Sequence, residues 1–327
     1  MGGWLNKRRA LAIGLALAAL AAGVGIYLVL SGWLLGVTVR ACIKSIQHRW
    51  GPVNETTTIV VSTVVIHNPA PSSATLRELS YKIYLNGVEF AQGKNTEALE
   101  IPAGGDARLE LITAIQNSKI PTWWVSHVRA GERTEARIEG SATVEAVGQT
   151  LTVPFSHTET FETDLEEQMD IDEPFDIVLV SLPLVGDIKI TVKKVETSWG
   201  EVTDAYTQLV HEARIYNPND FSIPATRMRY VVTANGVHIA EGEQPLDVVL
   251  EPRTITTISF YTYIDNSRLI DWWVTHVQHN ETTHVAARIY ATWEFTVPFV
   301  GPISVEVLVY KTDFYVKTDI LASLSFP

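Results

Sequence analysis

Two histidines, His127 and His276, are the residues whose setting first suggests chemistry in this sequence. Each lies in a nearly identical phrase, TWWVSHV at 122–128 and DWWVTHV at 271–277, so the two rings are separated by 149 residues. A histidine that occurs twice in one setting could be a general base, half of a metal pair or part of a repeated structural unit. Each of these roles predicts different neighbours.

The neighbours do not favour catalysis or metal binding. Zinc needs three or four ligands, but the sequence has no HExxH phrase, and Cys42 is its single cysteine. It contains neither a G-x-S-x-G phrase for a nucleophile nor a glycine-rich phosphate loop. Glu132 and Glu281 match between the two phrases, but each follows the end of its segment and is expected to be solvated. The sequence therefore predicts a non-enzymatic protein with no catalytic, cofactor-binding or metal-binding residue.

The spacing of the large residues instead predicts a short amphipathic helix in each phrase. They fall at i, i+3, i+4, i+7 and i+8, as Ile120, Trp123, Trp124, His127 and Val128 and again as Leu269, Trp272, Trp273, His276 and Val277. Gly131 and Asn280 follow, and both residue types suit the left-handed turn that ends a helix. We expect the tryptophans to fix the helix to a β-layer and the histidines to lie at the rim of the core with their N–H groups hydrogen bonded.

The two phrases belong to a longer duplication. At the same offset of 149, KSIQHRWG (44–51) matches KKVETSWG (193–200), VVIHNP (64–69) matches ARIYNP (213–218), and YLNGVEFAQG (84–93) matches TANGVHIAEG (233–242). TVPF occurs at 152–155 and at 296–299, and we interpret the reduced offset of this pair as the result of small insertions and deletions. The sequence predicts two copies of one domain, each large enough to hold its own core.

Within each copy the pattern is typical of antiparallel β-structure. Runs of β-branched residues end at Asn-Pro, because proline lacks the N–H that would continue a ladder. Asn-Gly between apolar runs predicts a tight type I′ hairpin. These signals match between the copies: Asn68-Pro69 with Asn217-Pro218, and Asn86-Gly87 with Asn235-Gly236. Several short strands separated by turns predict an all-β chain with two tandem sandwiches, each with one short helix.

The segment between the copies, residues 165–185, has two parts. DLEEQMDIDEPFD at 164–176 has seven acidic residues and no basic one, which predicts a solvated linker. IVLVSLPLV at 177–185 is apolar but too short to span a bilayer. We expect it to be the opening strand of the second domain; the alternative is an apolar patch that packs on the first domain or contacts lipid.

An apolar segment at the start of the chain predicts a membrane anchor. Residues 10–30 carry no charge, and the apolar character continues to 37. The segment is therefore longer than the roughly 20 residues that a helix needs to cross the hydrocarbon core. A cleaved signal peptide is the alternative, but its apolar region is typically only 7–15 residues long. We therefore predict a transmembrane helix at 10–35, with the lipid bilayer as its partner.

The flanking charges predict how the chain is oriented. Basic residues at 7–9 favour a cytoplasmic N-terminus, residues 1–9, although three further basic residues between 40 and 49 make the bias shallow. Asn54 and Asn280 each begin an Asn-x-Thr sequon, a possible glycosylation site compatible with an external body. We predict a single-pass protein of the cell membrane whose body is extracytoplasmic and ends in a short tail, residues 320–327.

Composition and charge narrow the class of partner. Hydrophobic residues make up 46% of the chain, which predicts a folded protein, and a lone cysteine allows no intrachain disulfide. The formal charge is −12, and residues 1–35 carry three positive charges and no negative one, so the remainder carries −15. Such a body repels phosphate backbones, and nucleic acid is therefore not expected to be a partner.

Taken together, the strand that ends in Asn-Pro, the Asn-Gly hairpin, the WWVxHV helix and the TVPF phrase resemble a known domain. It is the water-stress and hypersensitive-response (WHy) domain of the late-embryogenesis-abundant type 2 proteins, and the helix phrase resembles archaeal members in particular. The Asn-Pro-Asn signature of the domain is complete at residues 217–219, whereas the first copy has Asn68-Pro69-Ala70. The resemblance covers about 37–164 and 186–319, which implies a tandem pair of domains. It also implies a seven-stranded sandwich of the fibronectin-III or immunoglobulin-like type with one helix, and no known catalytic centre.

These features define a structural signature rather than an active site. Its members are Asn68, Pro69, Asn86, Gly87, Trp123, Trp124, His127, Asn217, Pro218, Asn219, Asn235, Gly236, Trp272, Trp273 and His276. Members of the family are associated with desiccation and stress responses, which implies a membrane-anchored binding or stress-protective module. The alternative is a structural or accessory subunit of a membrane or cell-surface assembly, with an envelope protein as its partner. A hydrolase that uses His127 or His276 is a third hypothesis.

Overall fold

The computed structural model describes residues 42–163, 165–183, 186–297 and 299–317. These residues form two compact units. The first unit contains residues 42–163 together with Trp273–Thr282, and the second contains the described residues of 165–272 together with Thr283–Val316. The predicted anchor at 10–35 lies outside the described residues, and none of the helices within them is long and apolar enough to cross a membrane.

The first unit contains one antiparallel sheet of eight strands. They are β1 Cys42–Val53, β2 Thr57–His67, β3 Ala74–Leu85, β4 Val88–Asn95, β5 Leu99–Ile101, β6 Asp106–Gln116, β7 Arg133–Ala146 and β8 Gln149–Glu162. Their order is β1-β2-β6-β4-β3-β7-β8, with β5 paired to β3. Helix α1, Ile120–Arg129, lies between β6 and β7 in the chain.

The second unit repeats this plan. A short helix α2, Leu165–Gln168, precedes β9 Phe175–Leu182, β10 Gly186–Val202, β11 Tyr206–Tyr216, β12 Ile223–Ala234, β13 Val237–Leu250, β14 Ile255–Asp265, β15 Thr282–Val297 and β16 Gly301–Lys317. The strand order is β16-β15-β12-β13-β14-β11-β10-β9. Helix α3, Leu269–Gln278, lies between β14 and β15 in the chain.

The prediction of mostly β-structure in two tandem antiparallel bodies is confirmed. The copies share seven strands, since β13 takes the place of β4 and β5, and the second copy adds β9 before them. Ladder bonds between β4 and β6, such as Ala91 opposite Ile115, join the layers of the first unit into one sheet. The predicted lead-in strand is β9, and its Ile177 and Leu179 are buried in the core of the second unit.

The hairpin turns form as the residue types require. Asn86 and Gly87 have φ values of 47° and 79°, and Asn235 and Gly236 have 51° and 81°. Two successive positive φ angles are the mark of the type I′ turn, whose twist matches that of the flanking strands. Each asparagine side chain also accepts a hydrogen bond from a backbone N–H of the strand that follows the helix. The donor is Glu135 of β7 for Asn86 and His284 of β15 for Asn235.

In the sheet of each copy, one glycine leaves space for the ring of a buried tyrosine. A Cβ atom at Gly93 would collide with the Tyr81 ring, and one at Gly242 would lie 2.6 Å from Tyr230 Oη. The hydroxyl of Tyr81 contacts Thr113 Oγ1 at 2.5 Å, and Tyr230 Oη accepts from a backbone N–H. The buried phenols are therefore hydrogen bonded, as burial of a polar tip demands.

The first part of the acidic segment between the copies is bound to β10, whereas residues 172–174 are exposed, as expected for the predicted solvated linker. Glu166 Oε2 accepts from the backbone N–H of Trp199 at 3.1 Å, and Asp170 Oδ1 accepts from that of Thr197 at 2.7 Å. Ile171 forms a bridge to the same strand, β10. Because β9 does not extend along this part of β10, the carboxylates satisfy N–H groups of an otherwise open strand.

The interpretation of the two TVPF phrases as equivalent was also wrong. Residues 152–155 lie within β8, where Phe155 pairs with Gly140 of β7. Thr296 and Val297 end β15 instead, and Phe299 is fully exposed in the turn that follows. The reason is that β15 has 16 residues and β7 has 14, so the second copy turns later and its counterpart of β8 is β16.

The Asn-Pro signature closes the loop after the second strand of each copy. The buried Asn217 amide donates to Phe221 O and Leu250 O at 2.9 Å each, and its Oδ1 accepts from Asn219 N at 3.0 Å. Asn68 makes the corresponding bonds in the first copy. Asn219 adds a bond from Nδ2 to Lys189 O at 2.8 Å, which the first copy lacks because Ala70 has no amide.

We expect Asn219→Ala, which introduces the residue of the first copy, to lower the free energy of unfolding of the second unit by about 1 kcal/mol. Asn217→Ala should cost more, about 2–3 kcal/mol, because it leaves buried carbonyls without donors. Urea unfolding monitored by tryptophan fluorescence measures both. Equal losses in the two variants would contradict this assignment of their roles.

Candidate functional site

Helix α1 begins where the chain leaves the sheet after β6. A 3-10 turn at Asn117–Lys119 leads into it, and Pro121 lies in the first helical turn, where its missing N–H costs no hydrogen bond. The Asn117 side chain accepts from Thr58 Oγ1 at 2.9 Å and donates to Asn54 O at 2.7 Å. The second copy repeats both the turn and these bonds. A buried asparagine thus fixes the start of each helix.

A chain of hydrogen bonds surrounds the first histidine, which is only 1% exposed. The Trp123 indole can only donate, and it donates to Thr134 Oγ1 at 3.0 Å. The Thr163 hydroxyl donates to Glu132 Oε2 at 2.5 Å. His127 Nε2 therefore donates to Thr163 Oγ1, at 2.9 Å, and its Nδ1 accepts from the Thr134 hydroxyl, at 2.8 Å. Each hydroxyl in the chain both accepts and donates once.

Burial lowers the pKa of His127, His211 and His276 to about 4. For His127 the negative charge of Glu132 and a backbone hydrogen bond at Arg133 favour protonation, but burial has the larger effect. A pKa near 4 makes these rings neutral at neutral pH, which agrees with the direction of the bonds around His127.

This arrangement positions side chains and does not activate a nucleophile. A nucleophilic hydroxyl needs a base that removes its proton, whereas the Thr163 hydroxyl donates to Glu132 and accepts from His127. Within the described ranges, no three His, Cys, Asp or Glu side chains come together as metal ligands would. What the chain of bonds does is hold α1 against β7 and the end of β8.

The second helix keeps the tryptophan bond of the first. Trp272 Nε1 donates to Thr283 Oγ1 at 3.0 Å, as Trp123 does to Thr134. His276 is also buried, and its ring lies 6.3 Å from that of Trp273.

Trp273 belongs to the first unit, where its indole is 5% exposed. Its Nε1 donates to Thr58 Oγ1 at 2.9 Å, and its ring meets that of Trp50 edge to face at 5.9 Å. Trp50 Nε1 donates to Glu281 Oε1 at 2.9 Å, so this glutamate is buried and not solvated as the sequence suggested. Thr58 therefore accepts one bond from an indole and donates one to Asn117.

A histidine–hydroxyl pair occupies the same sheet position in both copies with its members exchanged between strands. In the first copy His48 Nδ1 contacts Ser62 Oγ at 2.7 Å across β1 and β2. In the second copy Thr197 Oγ1 contacts His211 Nδ1 at 3.0 Å across β10 and β11. His211 Nε2 also contacts the Thr262 hydroxyl, at 2.9 Å.

Other residues singled out in the sequence lie outside the hydrogen-bonded groups around His127 and Trp273. Asn86 Nδ2 donates to Ser126 Oγ of α1 at 3.2 Å, so this hairpin is tied to the helix. Trp124 is partly buried. Asn54 and Asn280, the two sequon positions, are exposed, and Asn280 has the left-handed φ of 50° expected at a helix end.

Sequence reasoning missed two groups of this site. Thr58 and Thr134 lie in strands and Thr163 follows one, where threonine is common, and nothing in their spacing marks them as partners of buried rings. Trp50 and Glu281 were within reach, because a tryptophan at this strand position and a glutamate after the helix occur in both copies.

The pKa values predict how stability depends on pH. The three folded-state pKa values near 4 lie below the ordinary 6.5, so the unfolded chain binds protons first as the pH falls. Stability is therefore complete above about pH 6.5 and declines toward pH 4, by about 3 kcal/mol for each fully buried ring. His127→Gln should be less stable at pH 7.5 but should show a shallower pH dependence in this window, by one proton. An unchanged slope in urea unfolding at several pH values would refute the assignment.

Removing the Trp273 indole should weaken the first unit. Trp273→Phe loses the bond to Thr58 but retains most of the apolar volume, and we expect it to cost about 1 kcal/mol. Trp273→Ala also leaves a cavity and should cost about 3–5 kcal/mol. Tyr315→Phe, at an exposed position, is the matched control for urea unfolding. A Trp273→Ala chain as stable as the control would contradict the contact.

Among the solved structures that are similar to this chain are one from an archaeon and one from a plant. A crystal structure of a protein from Archaeoglobus fulgidus is 24% identical, with 37% of this chain and 98% of that chain covered at a TM-score of 0.34. A solution structure of an Arabidopsis thaliana protein is 17% identical, with 38% and 79% covered at a TM-score of 0.29. No curated protein matches the chain.

The family model described as late embryogenesis abundant protein matches the chain twice, at residues 63–159 and 212–307. The two matches coincide with the two copies and together cover more than half of the sequence. The chain therefore belongs to the late embryogenesis abundant protein family, as a tandem member with two domains.

Proposed function

We propose that the protein is a non-enzymatic, membrane-anchored binding or stress-protective module of the WHy subtype, with both domains outside the cytoplasm. The observation that carries the proposal is the family match over both copies. The WWVxHV helix phrase supports the subtype and its archaeal-like character.

The apolar segment supports the membrane anchor. Residues 10–35 are uncharged and longer than a bilayer crossing requires. The basic residues at 7–9 favour a cytoplasmic start, and the body has the opposite sign of charge, −15 beyond residue 35. Anionic lipid headgroups repel a body of this charge, so the body does not bind the membrane surface by itself. A transmembrane helix would keep it at the membrane while the body stays in the aqueous phase.

The side-chain geometry around His127 supports a non-enzymatic role. Both ring nitrogens of His127 contact threonine hydroxyls, and the ring is buried away from any substrate. A broad hydrolase screen of the intact chain and of His127→Ala and His276→Ala forms addresses the enzymatic alternative. Turnover by the intact chain that both variants lose would overturn a non-enzymatic role.

The apolar lead-in strand gives little support to the alternative of an accessory subunit that packs through it. Ile177 and Leu179 contribute to the core of their own unit, and Val178, 44% exposed, is left on the other face of the strand. Purification of the full chain in mild detergent separates the hypotheses, because a stoichiometric partner protein would favour the subunit.

Topology is tested with the full chain carrying a C-terminal tag in cells that can be converted to spheroplasts. We expect the tag to stay in the membrane pellet after carbonate extraction and to be degraded by protease added to intact spheroplasts. Deletion of residues 10–35 should release the tag into the soluble fraction. Protection of the tag until the cells are lysed would place the body in the cytoplasm and overturn this part of the proposal.

A further inference from the structure

The outer face of β11 and β14 in the second unit carries a group of tyrosines. Tyr261 and Tyr263 project outward from β14 and are 37% and 39% exposed, and Tyr206 lies beside them on β11. The Tyr206 and Tyr263 rings meet edge to face, with centroids 5.3 Å apart. Alternate residues on a strand are about 6.8 Å apart, so the three rings form a continuous aromatic surface, hereafter the tyrosine face.

Polar neighbours hold the tyrosine face in place. Gln208 Nε2 donates to Tyr263 Oη at 3.0 Å, and Gln208 Oε1 accepts from the Glu201 backbone N–H at 2.9 Å. Tyr206 Oη donates to Glu201 Oε2 at 2.6 Å. Rings fixed in this way lose little conformational freedom when a ligand is bound, which favours binding.

The fold itself does not require aromatic residues at these positions. The first copy has the same strands in the same register, but there the corresponding residues are Thr57, Ile59, Ile112 and Ala114. A proline, Pro52, stands where the second copy has Glu201. The whole polar and aromatic group is therefore specific to the second copy.

The chemistry of the tyrosine face selects one class of ligand. Exposed aromatic rings pack on flat apolar surfaces, and the Glu201 carboxylate retains acceptor capacity beyond the bond from Tyr206. A pyranose ring offers both partners, an apolar face of C–H groups and a rim of hydroxyl donors. Bases of single-stranded nucleic acid also stack on aromatic residues, but they require a basic surface to hold the phosphates.

The charges around the tyrosine face exclude such anionic ligands. Four acidic residues lie on this side of the sheet, Glu196, Glu201, Glu212 and Asp265, with two basic ones, Arg214 and Lys194. Lys194 is ion paired with Glu196, so the surface has a net negative charge. We infer that the tyrosine face binds neutral oligosaccharides. The inference rests on one part of the proposed function, that the chain is a binding module. It adds the surface that binds and the class of ligand that is bound.

The test uses the full chain in mild detergent and a panel of immobilised neutral oligosaccharides built from glucose, mannose, galactose or N-acetylglucosamine. Sulfated and uronate-containing oligosaccharides form the anionic arm. We expect binding to at least one neutral glycan and none to the anionic arm. The combined variant Tyr261→Ile with Tyr263→Ala, which installs the residues of the first copy, should bind that glycan at least tenfold more weakly.

Tyr315→Ile, at an exposed tyrosine of β16, is the matched control and should bind like the unchanged chain. The combined variant must unfold at the same temperature as the control, so that a loss of binding is not a loss of folding. Tyr206→Thr is a second, independent variant that should also weaken glycan binding. The inference is overturned by absence of neutral-glycan binding, by binding that survives the combined variant, or by preference for the anionic arm. A chain that binds no glycan but is anchored and external contradicts only this inference, whereas a cytoplasmic body contradicts the proposed topology whatever it binds.

Discussion

The positions of helices α1 and α3 depend on the hydrogen bonds made by the indole and imidazole groups that these helices bury. A buried N–H left without an acceptor costs about 1–3 kcal/mol, so large aromatic residues can hold a helix only where acceptors are provided. Strand threonines provide them: Thr134 for Trp123, and Thr283 for Trp272. Because each hydroxyl has one position in its strand, the helix is held in one register and the apolar contacts follow from it.

Much of the fold could be predicted because its signals are local. Strand alternation, the Asn-Gly turns and the i, i+3, i+4 stripe each depend on neighbouring residues, and the structure has β-strands, turns and helices where these patterns lie. The packing of the acidic segment was not predicted because it depends on residues distant in sequence: backbone N–H groups of β10 donate hydrogen bonds to its carboxylates. The TVPF phrase misled because identical letters lie on opposite sides of a turn in the two copies.

The candidate site could be predicted only in part for a related physical reason. The helix stripe identifies which rings are buried, but their hydrogen-bond partners lie on strands distant in sequence. The histidine–hydroxyl pairs show this most clearly. When the two copies are aligned, His211 corresponds to Ser62, which suggests that the fold does not need a histidine there. Across the ladder, the first copy keeps the same pair as His48 with Ser62, and the second as Thr197 with His211. What the duplication retains is an interaction between two strands.

The two copies are alike inside and differ outside, and this contrast bears on function. The asparagine that begins each helix, the tryptophan–threonine bond and the glycine that accommodates a buried tyrosine occur in both. A side chain on an outer sheet face is free of these packing constraints, so it can change without loss of the fold. Ile112 in one copy and Tyr261 in the other occupy such a position. Because the two frameworks are similar but their outer faces differ, we expect the two domains of this chain to bind different ligands.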